Sequence, residues 1–324
     1  MTLIRIVIAG GGPAAVESAV AARKTNASAE IIICSAEDSL PYRRPALSGL
    51  LAAGKSIDPK TFYIKPAEFF AGQDIIFRSN ASAAAVDGSE LIFADGEKLA
   101  FDKLIIACGS NAVRLPIPGA ERAYTLRSLA DMEKLAERLD SGVKSAVIIG
   151  GGVLGLEIAE SLISRQISTE VIENAPQLFP GRLPETEAAA LLERLNAIEF
   201  LHISCGKTAS NISADTVELA SGEVLPAEVV IFAAGSRPDL TLAKSAGLEC
   251  GRGIVVNSAM QSSRENIFAA GDSAEFEGRC FNLYMDAMAS GKVAGTNAAG
   301  GEAVFAAKPS PVRFMALGEK LVMP

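Results

Sequence analysis

The sequence predicts an α/β fold built from two parallel-sheet units, and three observations carry that prediction. An apolar run from Leu3 to Ala9 leads through a glycine-rich turn into a helical pattern that lasts to Lys24. The same plan recurs about 140 residues later in "SAVIIGGGVLGLEIAESL", where the apolar strand is Ala146 to Ile149. At 324 residues the chain is long enough for two domains that each bury a core.

In the first unit Gly10, Gly12 and Ala15 supply a G-x-G-x-x-A pattern between strand and helix, and Pro13 lies in the same turn. The first glycine permits a tight turn, the second lets backbone approach a pyrophosphate, and the small Ala15 allows close helix–strand packing. Phosphates would then sit on the positive end of the helix. The following strand, "AEIIICSAED", ends at Ser35 rather than at an acid, with Glu37 two residues later. Either Glu37 reaches back to a ribose, or backbone at Cys34 and Ser35 does so, or Glu37 is a solvated loop charge.

In the second unit Gly150, Gly152 and Gly155 take the fingerprint positions, with Val153 and Leu154 between them. The next strand, "STEVIENAP", ends in Glu173, 23 positions beyond Gly150 and near the spacing of a ribose-binding carboxylate. Such a carboxylate accepts from a free 2′-hydroxyl and repels a 2′-phosphate, and Asn174 and Ala175 offer no arginine. The second unit therefore reads as a site for NADH rather than NADPH. Two such units in strand–turn–helix context are Rossmann-like.

Composition removes other classes of function. A net charge of −8 without a basic, aromatic-interleaved stripe argues against nucleic acid. No apolar run reaches the roughly 20 residues of a membrane helix, and the N-terminus moves straight into a strand pattern, so a cytoplasmic location is expected. Cys34, Cys108, Cys205, Cys250 and Cys280 contain no C-x-x-C or C-x4-C, which excludes a local redox dithiol and predicts no metal site. The single histidine, His202, gives no support to a histidine base.

With these motifs the chain resembles the two-dinucleotide-binding flavoproteins, the FAD-dependent pyridine nucleotide-disulfide oxidoreductase family. "DKLIIACGS" (Asp102 to Ser110) is similar to the strand and turn that leave the FAD domain, and "VVIFAAGSRPD" (Val229 to Asp239) to those that leave the NAD domain. "SSRENIFAAGDSAE" resembles the second FAD fingerprint, whose aspartate, here Asp272, binds the ribityl chain. The resemblance implies an FAD domain over 1–112 and 241–308, an inserted NAD domain over 113–240, and a remnant of an interface domain or tail over 309–324. It adds Ala83 and Ala107 to the FAD candidates and Gly235 to the NAD candidates.

Within the family the likeness is to rubredoxin reductases, ferredoxin reductases and the FAD domain of nitrite reductases. Their "PY-x-[RK]-P-x-LS" loop is matched by Pro41, Tyr42, Arg44, Pro45, Leu47 and Ser48, which nominates Arg44 and Pro45 as FAD contacts. Arg127 in "YTLRSLADMEKL" resembles a further flavin-reaching arginine, or is an exposed residue capping the next helix. Glu157 resembles the carboxylate near the nicotinamide and is the catalytic candidate; its plainer alternative is a helix-dipole charge. Relatives usually place a lysine for that glutamate after "LS", where this chain has Gly49, and relatives continue into a full interface domain. The helix Asp286 to Gly301 carries small residues for which packing on the sheet suffices as explanation.

The implied activity is an FAD-dependent NADH oxidoreductase that moves electrons between NAD(H) and an iron–sulfur acceptor such as rubredoxin or ferredoxin. Hydride would pass to the flavin, and electrons directly from flavin to partner, since no sulfur relay is in place. The alternatives are an FAD- and NAD-binding electron-transfer subunit of a larger redox complex, and a nucleotide-binding protein without turnover.

Overall fold

Short β-branched runs alternate with alanine- and leucine-rich segments, and the strands and helices follow that alternation. A computed structural model of the chain describes residues 3–306 and 310–324. The elements that frame the site begin with strand β1 (Arg5–Ala9), helix α1 (Pro13–Thr25), strand β2 (Glu30–Cys34), the one-turn helix α2 (Leu47–Leu50) and strand β3 (Ile75–Arg78). Next come β4 (Lys103–Ile106), β5 (Tyr124–Thr125), α3 (Leu129–Asp140), β6 (Ser145–Ile149), α4 (Val153–Ile163) and β7 (Ser168–Glu173). Helix α5 (Glu185–Asn196), strands β8 (Leu201–Cys205), β9 (Val229–Phe232) and β10 (Ile267–Ala269), and helix α6 (Tyr284–Ala298) follow. A hairpin of β11 (Val312–Phe314) and β12 (Leu321–Met323) comes last.

The chain forms two units, one made of residues 3–43, 58–111 and 237–306, the other of Arg44–Ile57, Ala112–Ser236 and Pro311–Pro324. The first holds a parallel sheet in the order β10-β4-β1-β2-β3, with Val7 of β1 opposite both Ile32 and Leu104. Ile6, Val7, Ile8 and Ala9 are fully buried, because helices cover both faces of such a sheet, and this is why β1 reads as an unbroken apolar run. The second unit repeats the plan as β8-β7-β6-β9-β5, all parallel, with β6 at the centre. Each unit also carries a three-stranded antiparallel meander, Ala83–Asp87 to Lys98–Ala100 in one and Ala209–Ile212 to Val224–Pro226 in the other. In both sheets the glycine turn follows the central strand, where strand order reverses and ligands of open α/β sheets bind.

The structure differs from the sequence reading in the grouping of two segments and in the packing of α6. Arg44–Ile57, counted with the first domain above, groups with the second unit, and so does the hairpin. The expected boundary at 308/309 lies outside the described residues. The small residues of α6 face α1 closely: a Cβ on Gly291 would stand 2.3 Å from the Ala14 carbonyl oxygen, and one on Gly295 2.0 Å from that of Ser18. The Ser18 hydroxyl donates to both Ala14 O (2.8 Å) and Gly291 O (2.9 Å), so the run of small residues serves a helix–helix contact as well as the sheet. Among the described residues no helix is long and apolar enough to cross a membrane.

Candidate functional site

The first glycine turn is shaped by crowding on one side and space on the other. Gly10 has φ +134°, and a Cβ there would lie 2.1 Å from the Ala107 carbonyl oxygen, so only glycine fits. Gly12 is the N-cap of α1 with extended backbone, and among the described residues nothing lies within 4 Å of a built Cβ and no side chain caps the helix. Pro13 takes the first turn without needing an N–H partner, and no acid lies in that turn. The Gly10 N–H is given to Cys34 O at 2.8 Å, so it is the open space at Gly12 and the positive end of α1 that suit an anion. Ala15 is fully buried under the turn.

Ser35 and Glu37 resolve into different roles. A Cβ on Gly11 would stand 2.3 Å from Ser35 Oγ, so Ser35 closes on the turn itself. Its backbone bridges to Arg78 O (2.8 Å) and Ala81 N (2.7 Å), next to Ala83 at the start of the meander. Glu37 is no solvated loop charge: it is half-buried, and the buried Tyr42 donates its hydroxyl to Glu37 Oε2 at 2.7 Å. Tyr42 is held by a stacked Phe62, ring centroids 5.0 Å apart. In the same stretch Ser39 Oγ is buried with no hydrogen-bond partner among the described residues, an orphaned hydroxyl that a polar ligand along this stretch would satisfy.

Asp272 lies in the one-turn helix Gly271–Ser273 after β10 and accepts from Ser110 Oγ at 3.0 Å. The Gly271 N–H donates to the buried Ser290 Oγ of α6 (3.0 Å), and Ser273 Oγ donates to Ala270 O and Ile106 O, which fixes the turn beside Ala107. Gly10, Gly12, Pro13, Ala15, Ser35, Glu37, Ala83, Ala107 and Asp272 thus share the first unit. The donor set fits a dinucleotide: N–H groups for phosphate, carboxylates for sugar hydroxyls.

The second turn repeats this arrangement. Gly150 (φ +121°) would put a Cβ 2.4 Å from Ala233 O, and Gly155 one 2.0 Å from Gly150 O. Gly152 caps α4 with extended backbone and nothing within 4 Å, again with no side-chain cap. Val153 and Leu154 form the first turn, and Gly235 (φ +89°) accepts from Val113 N at 3.0 Å. Glu173 Oε2 accepts from Gly151 N (2.7 Å) and Oε1 from Ala175 N (2.8 Å). A carboxylate offers about four lone-pair sites, so two remain for hydroxyl donors.

Arg44 and Arg127 are grouped with this second unit, where Arg44 Nη1 donates to Arg127 O at 2.6 Å. Pro45 follows in a single 3-10 turn, Arg44–Ala46. Arg127 is half-buried rather than exposed; its N–H donates to Asp131, while Ser128 and Asp131 form the capping box of α3. The partner of Glu157 is Ser48, which donates its hydroxyl to Oε2 at 2.9 Å. Ser161 Oγ donates to Ser48 O (2.7 Å) and Arg165 Nε to Leu51 O, so α2 is laced onto α4. The sequence missed Gly11, Tyr42 and Ser48, although all three stand inside the quoted motifs.

Burial pushes the Glu157 carboxyl up, the Ser48 bond opposes this, and the Glu160 carboxylate adds to it. A carboxyl whose folded pKa lies above its unfolded value near 4.3 costs stability once ionised, so the cost is absent below the unfolded value and complete above the folded one. Glu157→Gln keeps an acceptor for Ser48 without the charge. The variant is expected to raise Tm at about pH 8 by more than at about pH 4; an equal change at both pH values contradicts that account.

A model of the pyridine nucleotide-disulphide oxidoreductases matches residues 4–299, nearly the whole chain. The chain belongs to this family. Among its relatives is the NADH-rubredoxin oxidoreductase of Clostridium acetobutylicum, 32% identical over 96% of this chain and 79% of the relative. The rubredoxin-NAD(+) reductase of Pseudomonas putida is 33% identical over 83% of this chain and 71% of its own. A ferredoxin reductase from Rhodopseudomonas palustris, solved as a crystal structure, superposes with a TM-score of 0.86 at 28% identity, covering 94% of this chain and 78% of the other. As a member of the pyridine nucleotide-disulphide oxidoreductases the chain is an NAD(P)H-dependent flavin oxidoreductase, with the two Rossmann-like units that the repeated fingerprint predicted.

Proposed function

We propose that this oxidoreductase carries electrons from NADH to a small iron–sulfur protein of the rubredoxin or ferredoxin kind, with FAD held by the first unit and NAD(H) by the second. The observation that carries this reading is the pair of helix N-termini, at Gly12 and Gly152, with no side-chain cap among the described residues, each followed by a strand with a carboxylate, Glu37 or Glu173, at or just past its end. Gly10, Gly12 and the first turn of α1 would hold the FAD pyrophosphate, Glu37 its ribose and Asp272 its ribityl chain. Arg44, Pro45 and Arg127 are proposed as further FAD contacts, and Glu157 as the carboxyl near the nicotinamide. Gly150, Gly152 and Glu173 would hold NADH. Bound FAD supplies hydride acceptance and release of electrons to a one-electron partner.

The cysteines support a direct route to that partner. All five thiols are pushed up by burial, Cys34 to about 11 and Cys108 to about 12, so they stay protonated at neutral pH, when a relay would need thiolate. A cytoplasmic location goes with this reading. The test is a purified protein that is yellow, is bleached by NADH more efficiently than by NADPH, and then reduces rubredoxin or ferredoxin with turnover. Colourless protein that takes up no FAD would sink the reading. Bleaching without reduction of either acceptor would point to an electron-transfer subunit of a larger complex.

A further inference from the structure

The β11–β12 hairpin is fastened to the second unit at several points. Phe314 is fully buried, its ring centroid 5.5 Å from that of Phe179, and Met323 and Ala316 are buried with it. The Leu317 N–H donates to Glu160 Oε1 of α4 at 2.6 Å. Glu319 takes a two-point ion pair from Arg194 of α5, Nε to Oε1 at 2.7 Å and Nη2 to Oε2 at 3.0 Å. Such a fork is the geometry in which a surface pair holds an element in place.

The partner of Phe314 is a strained residue beside the second glycine turn. Phe179 has φ +50°, a conformation that a bulky aromatic rarely adopts, and its carbonyl accepts from Arg182 N (3.0 Å) and Leu183 N (3.1 Å). The preceding residue, Leu178, is fully buried, and its Cδ2 stands 3.0 Å from a Cβ built on Gly151. Gly151 in turn donates to Glu173 Oε2. A line of neighbours therefore links Phe314, through the Phe179 ring and the adjoining Leu178, to the turn that carries Gly151 and Glu173.

We propose that the hairpin is a buttress of the NADH site, with Phe314 the positioning residue that presses the 174–183 loop against Gly151 and so presets Glu173. This rests on the second unit being the NAD(H) site. A strained backbone persists only where its surroundings over-determine it. With the Phe314 ring removed, Phe179 can relax and Leu178 withdraw, and binding NADH must then re-order the loop at a cost in affinity.

The test uses the full-length holoprotein with Phe314→Ala and the milder Phe314→Leu. For Phe314→Ala the KM for NADH is expected to rise about tenfold, with kcat within about twofold. FAD content should be unchanged, and the Tm gain given by saturating NAD+ should shrink. Phe314→Leu, which refills part of the volume but lacks the ring that meets Phe179, should raise the KM for NADH about threefold and stands alone if the alanine variant does not fold. An unchanged KM and NAD+ shift in the leucine variant and in any folded alanine variant overturns the proposal, as does a parallel loss of kcat and FAD. Gly152→Val separates the two readings. If it leaves NADH binding intact, the NAD(H) assignment fails; if it abolishes binding while Phe314 variants do nothing, only the buttress fails.

Discussion

Gly152→Val is expected to abolish reduction by NADH while the protein stays folded and yellow. Gly152 has φ −77° and ψ −177°, extended backbone that valine also favours, and a built Cβ meets nothing within 4 Å. The substitution therefore strains nothing in the chain itself beyond a less favoured N-cap, worth about 1 kcal/mol. What the branched side chain does occupy is the space in front of the N–H groups of α4, where a pyrophosphate must come within hydrogen-bond distance. A loss of at least about 100-fold in NADH affinity, about 2.7 kcal/mol, is expected from blocking that approach. Titration of flavin bleaching with NADH measures it, and dithionite should still bleach the variant fully. Gly150→Ala provides the contrast: its Cβ would lie 2.4 Å from Ala233 O at φ +121°, so it should lower stability as well as binding. A Gly152→Val protein with an unchanged KM for NADH is incompatible with the site assigned to the second unit.

The parts of this molecule that were legible in its sequence are those whose physical requirement is local. A strand covered on both faces must be apolar throughout, so β1 and β6 stood out as runs, and a turn with φ near +130° must be glycine, so Gly10 and Gly150 stood out too. What stayed hidden depends on partners far along the chain. The middle glycine, Gly11, passed for a spacer, because its need is set by Ser35 arriving from the next strand. Gly49 drew attention to a missing lysine, whereas Glu157 is met by the neighbouring Ser48, over a hundred positions away. The same long-range bonds, from Ser161 and Arg165 to the α2 segment, give Arg44–Ile57 to the second unit, and no periodicity or composition marks them. The hairpin read as a remnant because its fourteen or so residues cannot make a core alone; its buried Phe314 shares the core of another element.

Asp272→Ala is the corresponding test of the first unit and should give protein that purifies largely colourless. The turn that carries Asp272 is fixed by groups other than its carboxylate: the Gly271 N–H on Ser290 Oγ, and Ser273 Oγ on Ala270 O and Ile106 O. Removing the carboxylate thus leaves the backbone course in place and takes away one acceptor of Ser110 Oγ and, on the proposed reading, a charge-assisted bond to FAD. Such a bond contributes about 1.5 to 3 kcal/mol, which corresponds to roughly a 10- to 150-fold weaker hold on the cofactor. The ratio of flavin to protein absorbance after purification reads the effect directly, and titration of FAD into the apoprotein gives its size. Asp272→Asn, which keeps an acceptor without the charge, should fall between. The fraction of Asp272→Ala that is reloaded with excess FAD should show a wild-type KM for NADH, because nothing in the second unit has changed. Flavin content equal to wild type in the alanine variant would remove Asp272 from the cofactor site, and a shifted KM in the reloaded protein would mean that the two sites are not served by separate residues.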